Sequence, residues 1–184
     1  MGLGNPGPEY AGTRHNAGFR LADRLAEQWR AGPFRRSDRG REAVAKVAGQ
    51  DVRLLKPQTF MNRSGAVLAP LLADSAFDPS QDLLVLVDDV AIALGRFRLR
   101  GAGSNGGHNG LRSIEAVLRR QDYARLRIGI GPRPEAVDDL ADFVLADFDR
   151  EENAVLEALL DPMVEAVACW VEEGIERAMS RFNH

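Results

Sequence analysis

The chain has little cysteine, lysine or histidine: one, two and three residues of each among 184. A single thiol cannot form an internal disulfide, and such scarcity is typical of a reducing compartment. No apolar run approaches the roughly 20 residues that cross a bilayer, and no basic start followed by an apolar stretch indicates a secretory signal. We therefore expect a cytoplasmic protein. Its length predicts one domain, residues 1–184, with a core that needs no covalent staples.

The net charge of −3 hides an uneven distribution of charged residues. Residues 1–134 carry 21 basic and 13 acidic side chains, a balance of +8, whereas residues 135–184 carry 3 and 14, a balance of −11. All the basic residues except two lysines are arginine. The pattern favours a surface that meets polyanions, but an arginine-rich composition on a solvated surface explains it equally well.

The hydrophobic pattern switches between helical and strand periods along the chain. One run, at 83–87, is apolar throughout, as in a strand buried on both faces. Strands that alternate with helices predict an α/β fold with a parallel or mixed sheet. In chain order we predict a helix at 16–29, a loop at 34–42, two strands within 43–57, a helix at 65–77, strands at 83–87 and 95–100, a helix at 111–120, a strand at 124–131, and helices over 138–184 with a break near Pro162.

The chain opens with "MGLGNPG", whose three glycines have the G-x-G-x-x-G spacing of a dinucleotide-binding turn. That turn needs a strand before it, a helix directly after it and an acidic residue about 20 positions further on. Pro6 and Pro8 prevent a helix from starting within the motif, and Asp23 falls on the polar face of a helix. The same spacing at 101–106 is separated from the next helix by four residues. Both copies therefore argue against a nucleotide cofactor.

Amide and imidazole side chains lie in glycine-rich loops beside the ends of predicted elements. Loops at strand ends are where α/β proteins place their sites. A neutral histidine can be a general base, a carboxylate can hold its tautomer, and amide N–H groups can donate to an oxyanion. This set is suited to hydrolysis by an activated water. Its members are Asn5, Arg14, His15, Asn16, Met61, Asn62, Asp88, His108 and Asn109.

Each of these residues also has a purely structural explanation. Asn5 could form a turn before Pro6, while Asn16 and His108 could cap the helices that follow them. A covalent mechanism is poorly supported, since Cys169 falls on an apolar helix face and no G-x-S-x-G motif is present. The histidines also lack zinc-site spacing. From the residues alone, two interpretations remain open: a His–Asp–Asn hydrolytic site, or a set of residues that only cap helices and form turns.

Longer motifs resemble those of one family. The stretches "GLGNPGPEYAGTRHNAGF", "LLKPQTFMNRSG", "GSNGGHNGLRSI", "RLRIGIG", "DFVLADF" and "GIERAMSRFN" are similar to motifs of the bacterial peptidyl-tRNA hydrolases, over residues 2–183. The resemblance implies a twisted mixed β-sheet flanked by helices. It also implies an enzyme, usually a monomer, that needs no metal or cofactor. Such an enzyme cleaves the ester between a peptide and the 3′ ribose of tRNA and recycles tRNA from prematurely released peptidyl-tRNA.

The resemblance also implies roles for individual residues. His15 would be the base that activates water, and Asp88 would orient it. The basic part of the chain would hold acceptor-stem phosphates, with Arg98, Arg100, Arg127, Arg177 and Arg181 as candidates. The peptide and the 3′ CCA end would be bound by Asn5, Tyr10, Met61, Asn62, His108 and Asn109.

In three places the sequence departs from the family pattern. Family members carry a short, central apolar strand before "GLGNPG", where this sequence has only Met1. Ala91 and Ala93 occupy acidic and proline positions after Asp88, and Ala102 occupies a frequent lysine position. Two other functions remain open, the first of them because of the altered start and the Ala91/Ala93 loop. One is a non-catalytic RNA-binding protein, like the intron-splicing relatives of the family, and the other is a general small-ester hydrolase.

Overall fold

The strands form two three-stranded sheets in a computed structural model that describes residues 1–135 and 137–183. One sheet is antiparallel, in the order β1-β2-β3, and the other is mixed, in the order β4-β6-β5. The predicted α/β fold with a mixed sheet is thereby confirmed. The strands are β1 (Arg35–Arg36), β2 (Gly40–Val47), β3 (Gln50–Pro57), β4 (Leu84–Ala93), β5 (Phe97–Arg100) and β6 (Ala124–Gly131).

Helices connect and cover these strands. In the part of the chain that the structure describes, no helix is both long and apolar enough to cross a membrane. Three segments are 3-10 helices, at Pro8–Tyr10, Arg14–Asn16 and Met61–Leu68. The α-helices are α1 (Ala17–Gln28), α2 (Ala69–Leu72), α3 (Pro79–Asp82), α4 (Asn109–Leu118), α5 (Leu140–Leu145), α6 (Arg150–Glu173) and α7 (Ile175–Phe182).

The first three residues lie between β3 and β4 and join the two sheets. The Gly2 amide donates to the Leu55 carbonyl at 2.9 Å, and the Leu3 amide donates to the Leu86 carbonyl at 2.9 Å. The Leu86 amide in turn donates to the Met1 carbonyl at 2.8 Å. The family resemblance predicts a central strand ahead of "GLGNPG". In this structure residues 1–3 occupy that central position, between β3 and β4.

Alternate residues of β4 face two separate apolar cores, which explains its continuous apolar run. Leu84 and Leu86 pack in a cluster with residues of α1 and α6. Val85 and Val87 pack on the other face with residues of α4 and the 3-10 helix Met61–Leu68. Burial on both faces makes β4 the rigid centre on which the candidate site is built.

Several predicted boundaries were wrong. The stretch 34–42, predicted as a loop, contains β1 and the start of β2, while the helix predicted at 65–77 is a 3-10 helix followed by the single turn of α2. The predicted break near Pro162 is absent: α6 continues through the proline to Glu173. Buried side chains on both sides of the proline, such as Leu160 and Met163, hold the helix against the core. Their burial outweighs the roughly 3 kcal/mol that an interior proline costs.

Candidate active site

A cleft of about 640 Å³ opens beside β4, where the pairing of this strand with β6 becomes irregular after Asp89. A second cavity, of about 430 Å³, lies near Met1 and contains none of the predicted site residues. The structure brings all eight residues predicted for catalysis and substrate binding together around the cleft. They are Asn5, Tyr10, His15, Met61, Asn62, Asp88, His108 and Asn109.

The close packing of α1 on the centre of the sheet brings His15 to this cleft. A Cβ added to Gly18 would lie 2.3 Å from the Leu86 carbonyl oxygen and 2.6 Å from that of Leu3. Only glycine permits this approach of helix to strand. The 3-10 turn just before α1 then places the His15 ring next to Asp88, two residues beyond Leu86 on β4.

Asp88 joins two imidazoles. Its Oδ2 lies 2.9 Å from His15 Nδ1, and its Oδ1 lies 3.0 Å from His108 Nε2. The carboxylate is 3% exposed, and the centres of the two rings are 4.9 Å apart. A buried carboxylate with both oxygens accepting hydrogen bonds is held in one orientation, and it holds both rings in turn.

Backbone contacts assign the protons of these rings. His108 Nδ1 accepts from the amides of Gly110 at 3.1 Å and Leu111 at 3.4 Å, so its proton lies on Nε2 and is donated to Asp88. His108 is thus both the N-cap of α4 and a partner of Asp88. His15 Nδ1–H donates to the other carboxylate oxygen, which leaves the lone pair of His15 Nε2 free to accept a proton from water.

Burial and charge act in opposite directions on the pKa values of His15 and Asp88. Burial disfavours the charged form of His15, but the charge and hydrogen bond of Asp88 outweigh it, and the pKa of His15 is raised above its ordinary 6.5. Burial also opposes ionisation of Asp88, but His15 and His108 outweigh it and hold the pKa of this carboxyl far below its usual range. Asp88 is therefore an anion at neutral pH, and His15 is a strengthened base.

His15, Asp88 and His108 each offer one possible metal-ligand atom, and these atoms all lie within 4.8 Å of one another, close enough to suggest a metal site. The hydrogen bonds of His108 argue against that use. A metal on Nε2 of the neutral ring would move its proton to Nδ1, which already faces two backbone N–H donors. Metal binding would thus cost the cap of α4, so this donor set suits proton transfer better.

Asn5 and Asn16 form a reciprocal pair beside His15. The backbone N–H of Asn5 donates to the side-chain Oδ1 of Asn16 at 2.8 Å, and the side-chain Nδ2 of Asn16 donates to the backbone carbonyl of Asn5 at 3.0 Å. Asn16 occupies the N-cap position of α1 but makes no capping hydrogen bond, so its interpretation as a cap was wrong. Asn5 Oδ1 accepts from the buried Met61 amide at 2.8 Å. Asn5 Nδ2, which has no hydrogen-bond partner in the described chain, remains available to a ligand in the cleft.

Apolar side chains form two walls of the cleft. On one side, the ring of Tyr10 meets that of Phe60 edge to face, with centres 6.4 Å apart, and Phe60 is 62% exposed. On the other side, α5 presents Leu140, Val144 and Leu145. α5 overlaps the motif "DFVLADF", but the motif alone predicts no contact with the cleft, because that contact arises from tertiary packing.

Arg14 holds the α5 wall next to His15. Its buried guanidinium donates to the carbonyls of Ala146 at 3.2 Å and Asp147 at 2.9 Å, and it pairs with Glu152. It also lies 4.6 Å from the ring centre of Phe143 in α5. Contacts to carbonyls, a carboxylate and an aromatic face use most of what a guanidinium offers, so Arg14 positions the wall and is not free to bind a ligand.

The remaining candidates lie at the rim of the cleft or outside it. Asn62 and Asn109 are exposed at the rim, and Asn109 Oδ1 accepts from Arg112 at 3.4 Å. Of the arginines predicted to meet phosphates, Arg127 pairs with Asp89 at the cleft, and Arg177 pairs with Glu173 at 3.3 Å. The other three predicted arginines, on β5 and α7, are Arg98, Arg100 and Arg181. His184 lies outside the described residues.

The fold and the cleft define an α/β protein in which a histidine–carboxylate pair can activate water. The family model for peptidyl-tRNA hydrolase matches residues 1–184. The curated peptidyl-tRNA hydrolase of Gemmatimonas aurantiaca is 48% identical over 98% of this chain and 96% of its own length. That of Fervidobacterium nodosum is 44% identical over 100% and 94%.

A solved structure gives the same result. The crystal structure of peptidyl-tRNA hydrolase from Acinetobacter baumannii superposes with a TM-score of 0.89 at 35% identity, covering 98% of this chain and 91% of that one. The chain therefore belongs to the peptidyl-tRNA hydrolase family. The resemblance expected from the sequence motifs is confirmed, and so is the twisted mixed β-sheet fold that it implied.

Proposed function

We propose that this protein hydrolyses the ester bond between the peptide and the 3′ ribose of peptidyl-tRNA. The observation that carries the proposal is the 2.9 Å contact between His15 Nδ1 and Asp88 Oδ2, which leaves His15 Nε2 facing a cleft lined by amides. Membership of the peptidyl-tRNA hydrolase family supports the choice of substrate. The reaction would recycle tRNA from prematurely released peptidyl-tRNA in the cytoplasm.

The cleft contains a group for each proton transfer of the reaction and for stabilising the negative charge that develops on the carbonyl oxygen. His15 Nε2 takes a proton from water, and the water oxygen forms a bond to the ester carbonyl carbon. Asp88 stabilises the imidazolium that results. The tetrahedral oxyanion accepts hydrogen bonds from amide donors, for which Asn5 and Asn109 are the candidates. The bond to the ribose 3′ oxygen then breaks, and that oxygen takes the proton from His15, which yields a free peptide and tRNA.

The lining of the cleft suits the two halves of such a substrate. The apolar walls formed by Phe60, Tyr10 and α5 fit peptide side chains. Asn62 and Asn109 would bind the 3′ CCA end, with the His108 ring beside it helping to position it, and Arg98 and Arg100 on β5 would meet the phosphates of the acceptor stem. All of these groups come from one chain, so a monomer would suffice, and every step uses groups of the protein alone.

The cleft also favours a blocked amino group. A free α-amino group is an ammonium that needs a carboxylate, but both oxygens of Asp88 accept from histidines and Asp89 pairs with Arg127. The test compares N-acetyl-aminoacyl-tRNA with free aminoacyl-tRNA as substrates of the purified chain. We expect cleavage of the blocked form only.

Two other results would contradict the proposal. Binding of tRNA with no ester cleavage at any enzyme concentration would favour a non-catalytic RNA-binding protein. Rapid cleavage of simple esters, unaffected by added tRNA, would indicate a general small-ester hydrolase.

A further inference from the structure

Three cationic side chains lie in register across β1, β2 and β3. Arg36 is directly opposite Arg41, and Arg41 is directly opposite Lys56. Residues directly opposite in antiparallel strands project from the same face of the sheet. Neighbouring strands are about 4.8 Å apart, so the row spans about one Debye length at physiological salt. We refer to Arg36, Arg41 and Lys56 as the cationic row.

Only one member of the cationic row has a counter-charge in the described chain. The Lys56 ammonium pairs with Asp23 of α1 and lies 4.3 Å from the ring centre of Phe34. Arg36 and Arg41 are exposed and make no ion pair or side-chain hydrogen bond with any described residue. Like charges directly opposite each other destabilise a strand pair. The folded chain therefore carries a repulsion that its own contacts do not offset.

Two further arginines surround the row. Arg35 is exposed next to Arg36, and Arg39 lies in the short connection between β1 and β2, where it pairs with Asp38 at 3.5 Å in an exposed ion pair. Between residues 35 and 41 the chain thus carries four arginines and a single carboxylate. Such a concentration of one charge on a short exposed hairpin attracts an anionic partner.

The row is connected to the cleft through the end of β3. The backbone N–H of Gln58 donates to the backbone carbonyl of Arg39 at 2.8 Å, and Phe60, two residues further along the chain, lines the cleft. The arginines of β5 lie at the opposite edge of the joined sheet. The chain therefore has a second basic surface, separated from that of β5 by the whole width of the sheet.

We propose that Arg36 and Arg41 bind backbone phosphates of the tRNA body beyond its acceptor end. The proposal rests on the function proposed above, because it takes peptidyl-tRNA as the polyanion that reaches the cleft. Guanidinium groups pair well with phosphate, and phosphodiesters placed over the row neutralise two charges that otherwise repel each other. The attraction is independent of base sequence and falls as salt rises.

The test measures the affinity of the double variant R36Q/R41Q for deacylated tRNA between about 50 and 200 mM KCl. Loss of two phosphate contacts should reduce the slope of log Kd against log salt by about 1.5, and it should weaken binding roughly 10-fold at low salt. Without tRNA, the variant should unfold at or above the wild-type temperature, because a like-charge repulsion has been removed. A merely structural row would lower that temperature.

The control variant R53Q/R150Q loses the same charge at exposed arginines. Arg53 projects from the opposite face of β3 and pairs with Glu42, and Arg150 begins α6. This control should bind tRNA with the wild-type slope. A wild-type slope in R36Q/R41Q, or equal weakening in the control, would overturn the proposal.

A short substrate separates this proposal from that of the catalytic function. N-acetyl-aminoacyl-CCA has no tRNA body, so both double variants should cleave it with wild-type kcat/KM. Loss of its cleavage in R36Q/R41Q would instead place these residues at the acceptor end and contradict the proposal. If the wild-type chain cleaves neither substrate, the proposed function fails, while the tRNA-binding comparison still decides the role of the row.

Discussion

His15 Nδ1 lies 2.9 Å from Asp88 Oδ2, and both side chains are buried. This contact links a helix start to the central strand of the sheet over 73 residues of sequence. It determines which imidazole nitrogen faces the cleft, and it raises the pKa of His15 against the effect of burial. The pH dependence of the reaction therefore reports directly on this pair.

Replacing Asp88 with asparagine should move the acid limb of the pH–rate profile. In the wild type, kcat/KM should rise with pH through the pKa of His15, which lies above 6.5 because Asp88 outweighs burial. In D88N burial acts alone and lowers that pKa, so the limb should shift to lower pH. Turnover should fall by roughly 10²–10⁴-fold, because the tautomer is no longer held. Profiles of kcat/KM on N-acetyl-aminoacyl-tRNA measure both effects.

Asp89→Asn is the matched control for that profile, since Asp89 is the adjacent carboxylate and pairs with Arg127 rather than with a histidine. Its acid limb should remain at the wild-type position. An acid limb that D88N also leaves in place would contradict the coupling of Asp88 to His15.

His108 contacts both the start of α4 and Asp88, and substitution can separate the effects of these two contacts. His108→Ala should cost about 1 kcal/mol of unfolding free energy through loss of the cap of α4, and it should also lower activity by removing a donor to Asp88. His108→Asn should restore most of the stability, because asparagine is a good N-cap. Its side chain is too short to replace the Asp88 contact, so activity should remain low. Urea unfolding and kcat/KM measure the two separately, and full activity in H108N would mean that His108 acts only as a cap.

Asn5 should be needed for stability as well as for the substrate. In Asn5→Ala the buried Met61 amide loses its acceptor, which should cost about 1–3 kcal/mol of unfolding free energy. Asn62→Ala is the control, because Asn62 is an exposed cleft residue whose side chain makes no hydrogen bond in the described chain. Its stability should change by less than about 0.5 kcal/mol. Equal stability of the two variants in urea would contradict the role assigned to Asn5.

Local patterns predicted those parts of the fold that local forces determine. The apolar spacing of 16–29 predicted α1, and the apolar run at 83–87 predicted β4 as a strand buried on both faces. Glycine next to polar side chains predicted where the cleft residues lie. The sequence could not decide whether His108 caps a helix or contacts the catalytic candidates, and the structure shows that its ring caps α4 and also lies 3.0 Å from Asp88 Oδ1.

The features that sequence reasoning missed depend on contacts between distant segments. Asn16 has the position of a cap, but its side chain pairs with Asn5 because the "GNPG" turn folds against the start of α1. Pro162 remains within α6 because burial on either side outweighs its local cost. The α5 wall, held by Arg14, overlaps the motif "DFVLADF", but the motif alone does not place it at the cleft, since its position depends on α6 and the core.

The most direct test of the account is single-turnover hydrolysis of N-acetyl-aminoacyl-tRNA by His15→Ala, with enzyme in excess. Removal of the general base should lower the rate by about 10²-fold or more, while tRNA binding and the folded state are retained. A rate close to that of the wild type would contradict the claim that His15 activates the attacking water.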